Sequence, residues 1–413
     1  MIPFDGQLAA VIAAAEPLAP RRVPLAEARG LRLAERVVSS VPLPGFDNSA
    51  MDGFAVRRED VLGAGEDAPV ELRVVADVPA GSGANPPLGP GECARVMTGS
   101  PVPADADAIV PFEATAQGVD VRAEAASAVA VLAEPKPGAH IRRRGEDAPV
   151  GAVVAEPGER LGARVLAGIA AVGVAEIAVR PRPRVALIAT GDELVRPGGE
   201  LEHGRLYDSN TTLVRGLVEE ADAELVGEFR AGDGGGEFAT AVERAAGLAD
   251  VIVTTGGVSV GAFDVVRIEL EGAADATAGV RFDKVAMQPG KPQGFGRLAS
   301  GALVFALPGN PVSVFTSFEA FVRPALGVLR GDGPEPRRVS EAEAAEGWRC
   351  PPGRLQFMPV RFSAPGRVVP ATAGGSGSHL VSRLAAAEAI ALVPAEVDAV
   401  RAGDRLTIWE ILP

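Results

Sequence analysis

The feature that most narrows the fold is a series of apolar runs closed by glycine- or proline-shaped loops between Thr190 and Pro311. Val185-Ala-Leu-Ile-Ala189 leads into Thr190-Gly-Asp-Glu193, and Val251-Ile-Val253 runs toward Gly256-Gly-Val-Ser-Val-Gly261. Leu303-Val-Phe-Ala-Leu307 leads into Pro308-Gly-Asn-Pro311, and a further loop reads Pro289-Gly-Lys-Pro292. Helical spacing separates the runs. Leu213, Val214, Leu217 and Val218 pair at i and i+4 after the capping residues Asp208-Ser-Asn210. Phe238, Val242, Ala246 and Ala249 repeat the pattern, and Asn310-Pro311 opens a helix over residues 312–329. Such alternation predicts a mostly parallel sheet covered by helices on both faces. Ligands of such sheets bind at the carboxyl ends of the strands, where these loops fall.

At 413 residues the chain exceeds the roughly 250–300 that one core sustains, so several domains are expected. Its formal charge of −14 argues against nucleic-acid or anionic-lipid binding. An anionic substrate would have to meet a local basic patch, for which Arg142-Arg143-Arg144, Lys284 and Lys291 are the candidates. Two cysteines, Cys93 and Cys350, and three dispersed histidines argue against a disulfide framework or a zinc cluster. The first cationic side chain is Arg21, which does not suit a secretory signal, and no apolar run approaches the roughly 18 residues of a membrane span. The expectation is a soluble cytoplasmic protein.

Three proline-rich joints, Val41-Pro-Leu-Pro-Gly45, Arg180-Pro-Arg-Pro-Arg184 and Gly331-Asp-Gly-Pro-Glu-Pro336, divide the chain. Residues 4–15 and 25–38, rich in Ala, Leu and Glu, read as helices. Short apolar runs at 70–78, 93–97, 108–112 and 129–132 suggest a small β domain, and residues 162–172 a helix before a strand at 174–179. Runs at 355–362, 389–393 and 405–412 suggest a compact C-terminal β module.

Each loop admits a plain reading and a chemical one. Thr190-Gly-Asp-Glu193 is an ordinary turn with solvated acids, or a pair of carboxylates holding magnesium against phosphate. Gly256-Gly-Val-Ser-Val-Gly261 departs from the Gly-x-Gly-x-x-Gly dinucleotide pattern but offers backbone N–H groups and little bulk to a phosphate or pterin. Pro308-Gly-Asn-Pro311 is a helix cap or an anion-binding helix start, and Lys291 a surface charge or a phosphate partner. Phe46-Asp-Asn-Ser-Ala-Met-Asp-Gly53 and Arg142-Arg-Arg-Gly-Glu-Asp147 add acids and forked cations outside this region.

Taken in order, Asp47–Gly53, Met97-Thr-Gly-Ser-Pro-Val-Pro103, Arg142–Asp147, Thr190–Leu194, Tyr207-Asp-Ser-Asn210, Gly256–Gly261, Pro289–Pro292, Leu307–Ser313 and Gly377-Ser-His379 resemble the molybdopterin molybdenumtransferase family. The chain is also similar to the C-terminal half of gephyrin. The resemblance implies a multidomain α/β plus β protein. A discontinuous N-terminal domain (1–45 and 146–180) would carry an inserted β domain (46–145). A central α/β domain with a mostly parallel sheet (181–330) and a C-terminal β-barrel-like module (337–413) would follow.

It also implies an elongated homodimer that turns molybdate and adenylylated molybdopterin into molybdenum cofactor and AMP with Mg2+. A molybdopterin adenylyltransferase would act upstream. By matching position, Glu193, Asp264, Asp52 and Asp233 would be catalytic, with Glu193 and Asp264 organising magnesium. Thr98, Asp147, Arg142, Arg144, Lys284, Lys291, Gly256, Gly257, Ser259, Pro308, Pro311 and Ser378 would bind substrate. The chain departs from some relatives at Gln288, where they carry lysine, and at Phe54, where tyrosine is common. Two other readings remain open: a molybdopterin adenylyltransferase using ATP, and a gephyrin-like scaffold.

Overall fold

A computed structural model describes residues 1–118, 127–232, 234, 236–258, 265–272, 279–334, 337–372 and 377–411. Contacts divide the chain into two compact units, Arg22–Ala178 and the combination of Met1–Arg21 with Val179–Pro413.

In Arg22–Ala178, five strands form one mixed sheet: Gly53–Val56 (β1), Val70–Val78 (β2), Glu92–Val96 (β3), Ala108–Pro111 (β4) and Ala128–Val131 (β5), in the order β4-β1-β3-β2-β5. Both faces are covered. Phe54, Val56, Cys93 and Val110 enter one apolar cluster, while Ala55, Ala94, Val96 and Ile109 enter another. Strand β1, inside the sheet between β4 and β3, is four residues long and buried along its whole length, and the sequence predicts no strand there. Leaving and re-entering this sheet, the chain runs antiparallel to itself, pairing Val38 with Val153, Leu43 with Ala148 and Ser49 with Ile141.

Residues 25–38 are not the helix their composition suggests. A short turn at Leu25–Glu27 is followed by strand fragments Arg32–Leu33 and Val37–Val38. The N–H groups of Leu25, Gly30, Leu33 and Ala34 bond to the carbonyls of Ala175, Leu161, Glu159 and Ala178. Long-range pairing overrides a weak local preference for helix.

In the other unit, six strands form the order β7-β6-β8-β11-β10-β9: Arg184–Thr190 (β6), Glu224–Ala231 (β7), Val251–Thr255 (β8), Arg281–Lys284 (β9), Pro292–Arg297 (β10) and Leu303–Leu307 (β11). The first four in that order are parallel, and β10 and β9 run antiparallel at one edge. Alternate side chains point to opposite faces of a strand, and the packing follows that rule. Val185, Leu187, Val251, Val253, Phe305 and Leu307 meet helices Phe4–Ala14 (α1), Asn210–Glu220 (α3) and Pro311–Arg330 (α6) on one face. Ala186, Ile188, Ile252, Val304 and Ala306 meet Glu237–Ala246 (α4) and Val265–Gly272 (α5) on the other. The remaining helix, Ala163–Ala171 (α2), belongs to the Arg22–Ala178 unit.

Helix α6 is long and apolar enough to cross a membrane, but 89% of its most apolar window is buried inside the protein. It contains a π turn over Phe318–Val322. Beyond it, Val339–Ala344 (β12), Leu355–Ala364 (β13), Arg367–Pro370 (β14), Ala389–Val393 (β15) and Arg405–Glu410 (β16) close into a five-strand barrel, since β13 pairs with both β14 and β15.

Candidate functional site

Strand β6 is followed in sequence by β7 on one side and by β8 on the other, so the winding of the sheet reverses between β6 and β8. At such a reversal the two outgoing loops diverge and leave a crevice at the carboxyl ends of the strands. A polar cavity of about 490 Å³ lies there. Thr190, Gly191 and Glu193 line it after β6, Gly256 to Val258 after β8, and Pro308 to Asn310 after β11. Gln288, Lys291 and Ser378 complete the wall from the segments that flank the sheet.

Glycine is required where β6 and β8 end together. Gly256 has φ +97°, and a Cβ there would stand 2.8 Å from Thr190 Oγ1 and 2.9 Å from its carbonyl oxygen. Thr190 in turn donates its hydroxyl to Thr255 O at 3.1 Å. The two strand ends are thereby drawn together beneath the cavity, with backbone rather than side chain exposed to a ligand.

Side-chain amides fix the other walls. Asn310 occupies the N-cap of α6 with Pro311 next to it, as expected, and the cap of α3 falls to Asp208 and Ser209, but neither asparagine side chain caps its helix. Asn210 Nδ2 donates to Gly309 O at 2.7 Å, while Asp208 Oδ1 accepts from the N–H of Thr211 at the start of α3. Asn310 Nδ2 donates to Ser378 Oγ at 3.0 Å, and Ser378 O accepts the Val312 N–H at the start of α6. Gln288 Oε1 accepts from Arg354 Nη1 at 2.7 Å, which ties a guanidinium to this wall. Arg354 carries no sequence signal beyond that of an ordinary surface cation, whereas Asn210 falls in the Tyr207-Asp-Ser-Asn210 stretch that carries the resemblance.

Among the described residues the Glu193 carboxylate has no hydrogen-bond or ion-pair partner, and neither has the Lys291 ammonium. One wall thus presents hard oxygen donors and another a cation. No cluster of three or more His, Cys, Asp or Glu exists among the described residues. Magnesium is commonly held by one or two carboxylates together with substrate phosphates, and a single free carboxylate facing a cavity fits that donor set. A second cavity, about 370 Å³ between α4, α5 and the Leu298–Ser300 turn, is apolar and its described lining contains no cation.

Of the residues anticipated from sequence, Glu193, Gly256, Gly257, Lys291, Pro308 and Ser378 meet at the polar cavity. Pro311 begins α6 just beyond it, and Lys284 is exposed on β9 and is not part of the lining. Asp233, Ser259 and Asp264 lie outside the described residues.

Asp52, Thr98, Arg142, Arg144 and Asp147 belong to the Arg22–Ala178 unit. There Asp52 Oδ1 accepts from the Thr98 N–H at 2.6 Å and its hydroxyl at 2.8 Å. Asp47 accepts from the Arg144 N–H and from Arg143 Nη1, both at 2.7 Å. These bonds, the backbone one foremost, hold the Asp47 carboxyl below the usual carboxylate range. They leave the Arg142 and Arg144 guanidinium groups exposed and without a side-chain partner among the described residues.

Three family profiles match successive parts of the chain. They are the MoeA N-terminal region (domains I and II) over residues 2–173, a probable molybdopterin-binding domain over 186–327, and the MoeA C-terminal region (domain IV) over 341–411. The polar cavity is built from residues of the second and third matched stretches, with its Pro289–Pro292 wall in the second. The chain is 44% identical over 398 residues to molybdopterin molybdenumtransferase 2 of Mycobacterium tuberculosis, covering 95% of each. It is 34% identical over 388 residues to the molybdopterin molybdenumtransferase of Haemophilus influenzae, covering 93% of this chain and 92% of the relative. A crystal structure of the molybdopterin biosynthesis MoeA protein from Pyrococcus horikoshii superposes with a TM-score of 0.82 at 30% identity, covering all of both chains.

Proposed function

We propose that this chain, which belongs to the molybdopterin molybdenumtransferase family, inserts molybdenum into molybdopterin during molybdenum cofactor biosynthesis, and that it does so at the polar cavity. The reaction we assign is molybdate plus adenylylated molybdopterin giving the cofactor and AMP. The observation that carries the assignment is a free carboxylate and a free ammonium lining one crevice at the strand ends.

Both substrates are anionic and the chain is acidic, so binding depends on local donors rather than on the overall field. Lys291 and the Ser378 hydroxyl face the cavity as donors to an oxyanion. Gly256 and Gly257 let a phosphate or pterin approach the backbone closely. Phosphoanhydride cleavage needs chiefly positioning and charge neutralisation, which this set of groups provides. Glu193 would hold magnesium together with the substrate phosphates, with Asp264 assigned as its second carboxylate from the resemblance. When bound, magnesium would neutralise charge on the phosphate oxygens.

For Asp52, Asp233, Thr98, Asp147, Arg142, Arg144, Lys284, Ser259 and Pro311 the roles assigned rest on the resemblance alone. The working protein in this reading is a cytoplasmic homodimer supplied by a molybdopterin adenylyltransferase. Purified protein given adenylylated molybdopterin, molybdate and Mg2+ should release AMP and yield cofactor that activates a molybdenum-free acceptor enzyme. Turnover of ATP with molybdopterin, and none of the adenylylated substrate, would overturn the assignment.

A further inference from the structure

The loop that carries Lys291 is gripped from beneath by an amide the proposed chemistry does not use. Gln293 is buried in β10, and its Nε2 donates to Gly290 O and to Ser317 Oγ, each at 2.6 Å. Ser317 is itself fully buried in α6. Both amide hydrogens of Gln293 are therefore committed, and two fixed acceptors set the plane of the group. Gly290 permits the arrangement: its φ is +98°, and a Cβ there would stand 2.8 Å from Ser317 Oγ. The Val285 N–H bonds to Lys291 O at 2.8 Å and anchors the far side of the same loop.

In a trans peptide the carbonyl and the N–H of one unit point in opposite directions. The Gly290 carbonyl is held inward by Gln293, so the N–H of the same unit, which belongs to Lys291, points outward. Gly290 and Lys291 both line the polar cavity, and neither N–H has an acceptor among the described residues.

We propose that Gln293 is a positioning residue: by holding the Gly290 carbonyl inward it presents the Lys291 backbone N–H, beside the Lys291 ammonium, to an oxyanion in the cavity. The proposal rests on the cavity's reading as the substrate site. A tetrahedral oxyanion is the class of ligand that takes an ammonium and a backbone donor from one residue. Molybdate and the phosphate of AMP share that chemistry.

The chain contains three lysines, Lys136, Lys284 and Lys291, so 15N-lysine labelling of the whole protein yields three backbone amide signals. Molybdate alone and AMP alone are titrated separately. The Lys291 amide is expected to shift with at least one of them while the Lys136 amide stays fixed. Response to molybdate assigns the donor to the transferred oxyanion, and response to AMP assigns it to the nucleotide phosphate. If the wild-type Lys291 amide ignores both, the oxyanion reading of this corner falls and the proposal with it.

In Gln293→Met, which keeps the volume and removes the donors, the Lys291 shift should vanish and Kd should rise about tenfold. The Lys136 amide, in the other compact unit, should hold its wild-type position. A folded Gln293→Met protein that binds as wild type with the same Lys291 shift, whatever its Tm, overturns the positioning role while leaving the site assignment standing. Should that variant fail to fold, Ser317→Ala decides. It releases one of the two acceptors and should weaken binding to a lesser degree, and unchanged affinity with an unchanged Lys291 shift refutes the proposal.

Discussion

Glu319 sits in the π turn of α6, with none of its side chain exposed, and two arginines grip it. Arg323 reaches it through Nε at 2.7 Å and Nη2 at 3.1 Å, and Arg337 through Nε at 3.0 Å and Nη2 at 3.1 Å. Burial lowers the Arg337 pKa, but the bonds to Glu319 and Glu220 outweigh it and leave the guanidinium above its ordinary value. Glu319→Gln preserves shape, yet turns one carboxylate oxygen into an N–H that opposes guanidinium donors. Breaking a buried pair from one side costs about 3–5 kcal/mol. At about 2–4 °C per kcal/mol for a domain of this size, Tm should fall by roughly 6–20 °C. Glu220 provides the control. It touches the same two arginines, but half of its side chain is exposed, so Glu220→Gln should cost about 1 kcal/mol or less. Differential scanning calorimetry of both variants checks this. Equal, small shifts would refute the claim that a buried ionic knot holds the helix whose first turn borders the cavity.

Burial, with a smaller contribution from Glu92, pushes the Cys93 thiol up to about 12. Cys93 should therefore stay unlabelled by a thiol reagent at pH 8 until denaturant is added, and labelling of native Cys350→Ser protein would contradict its burial. The Asp47 carboxyl is held down by the Arg144 N–H and then by Arg143. Its folded pKa lies below the unfolded one, so its contribution is present above about pH 3.9 and fades as pH falls through the folded value. Carbon-13 titration should place the Asp47 midpoint below about 3.9; a midpoint at or above that value contradicts the bonding.

The central sheet was legible because strands buried on both faces read as unbroken apolar runs, as at Leu303–Leu307, and because helical spacing separates them. The antiparallel edge was not, since Pro292-Gln-Gly-Phe-Gly296 has little strand character of its own and pairs through its neighbours β11 and β9. The misread segment 25–38 failed for a related reason: its partners lie at Glu159 to Ala178, far along the chain.

At the site, Glu193, Lys291 and the glycine loops were recognisable because residue type and position after a strand both point to the chemistry. Gln293 and Arg354 were not, because their role depends on which carbonyl or amide they meet, and that is decided by folding.

The most direct test is anomalous diffraction from crystals of catalytically active protein soaked with AMP and tungstate, a heavy analogue of molybdate. A single strong peak within the cavity bounded by Glu193, Gly256, Lys291 and Ser378 is the predicted result. An ordered oxyanion found only elsewhere, with that cavity empty at saturating ligand, would contradict the account.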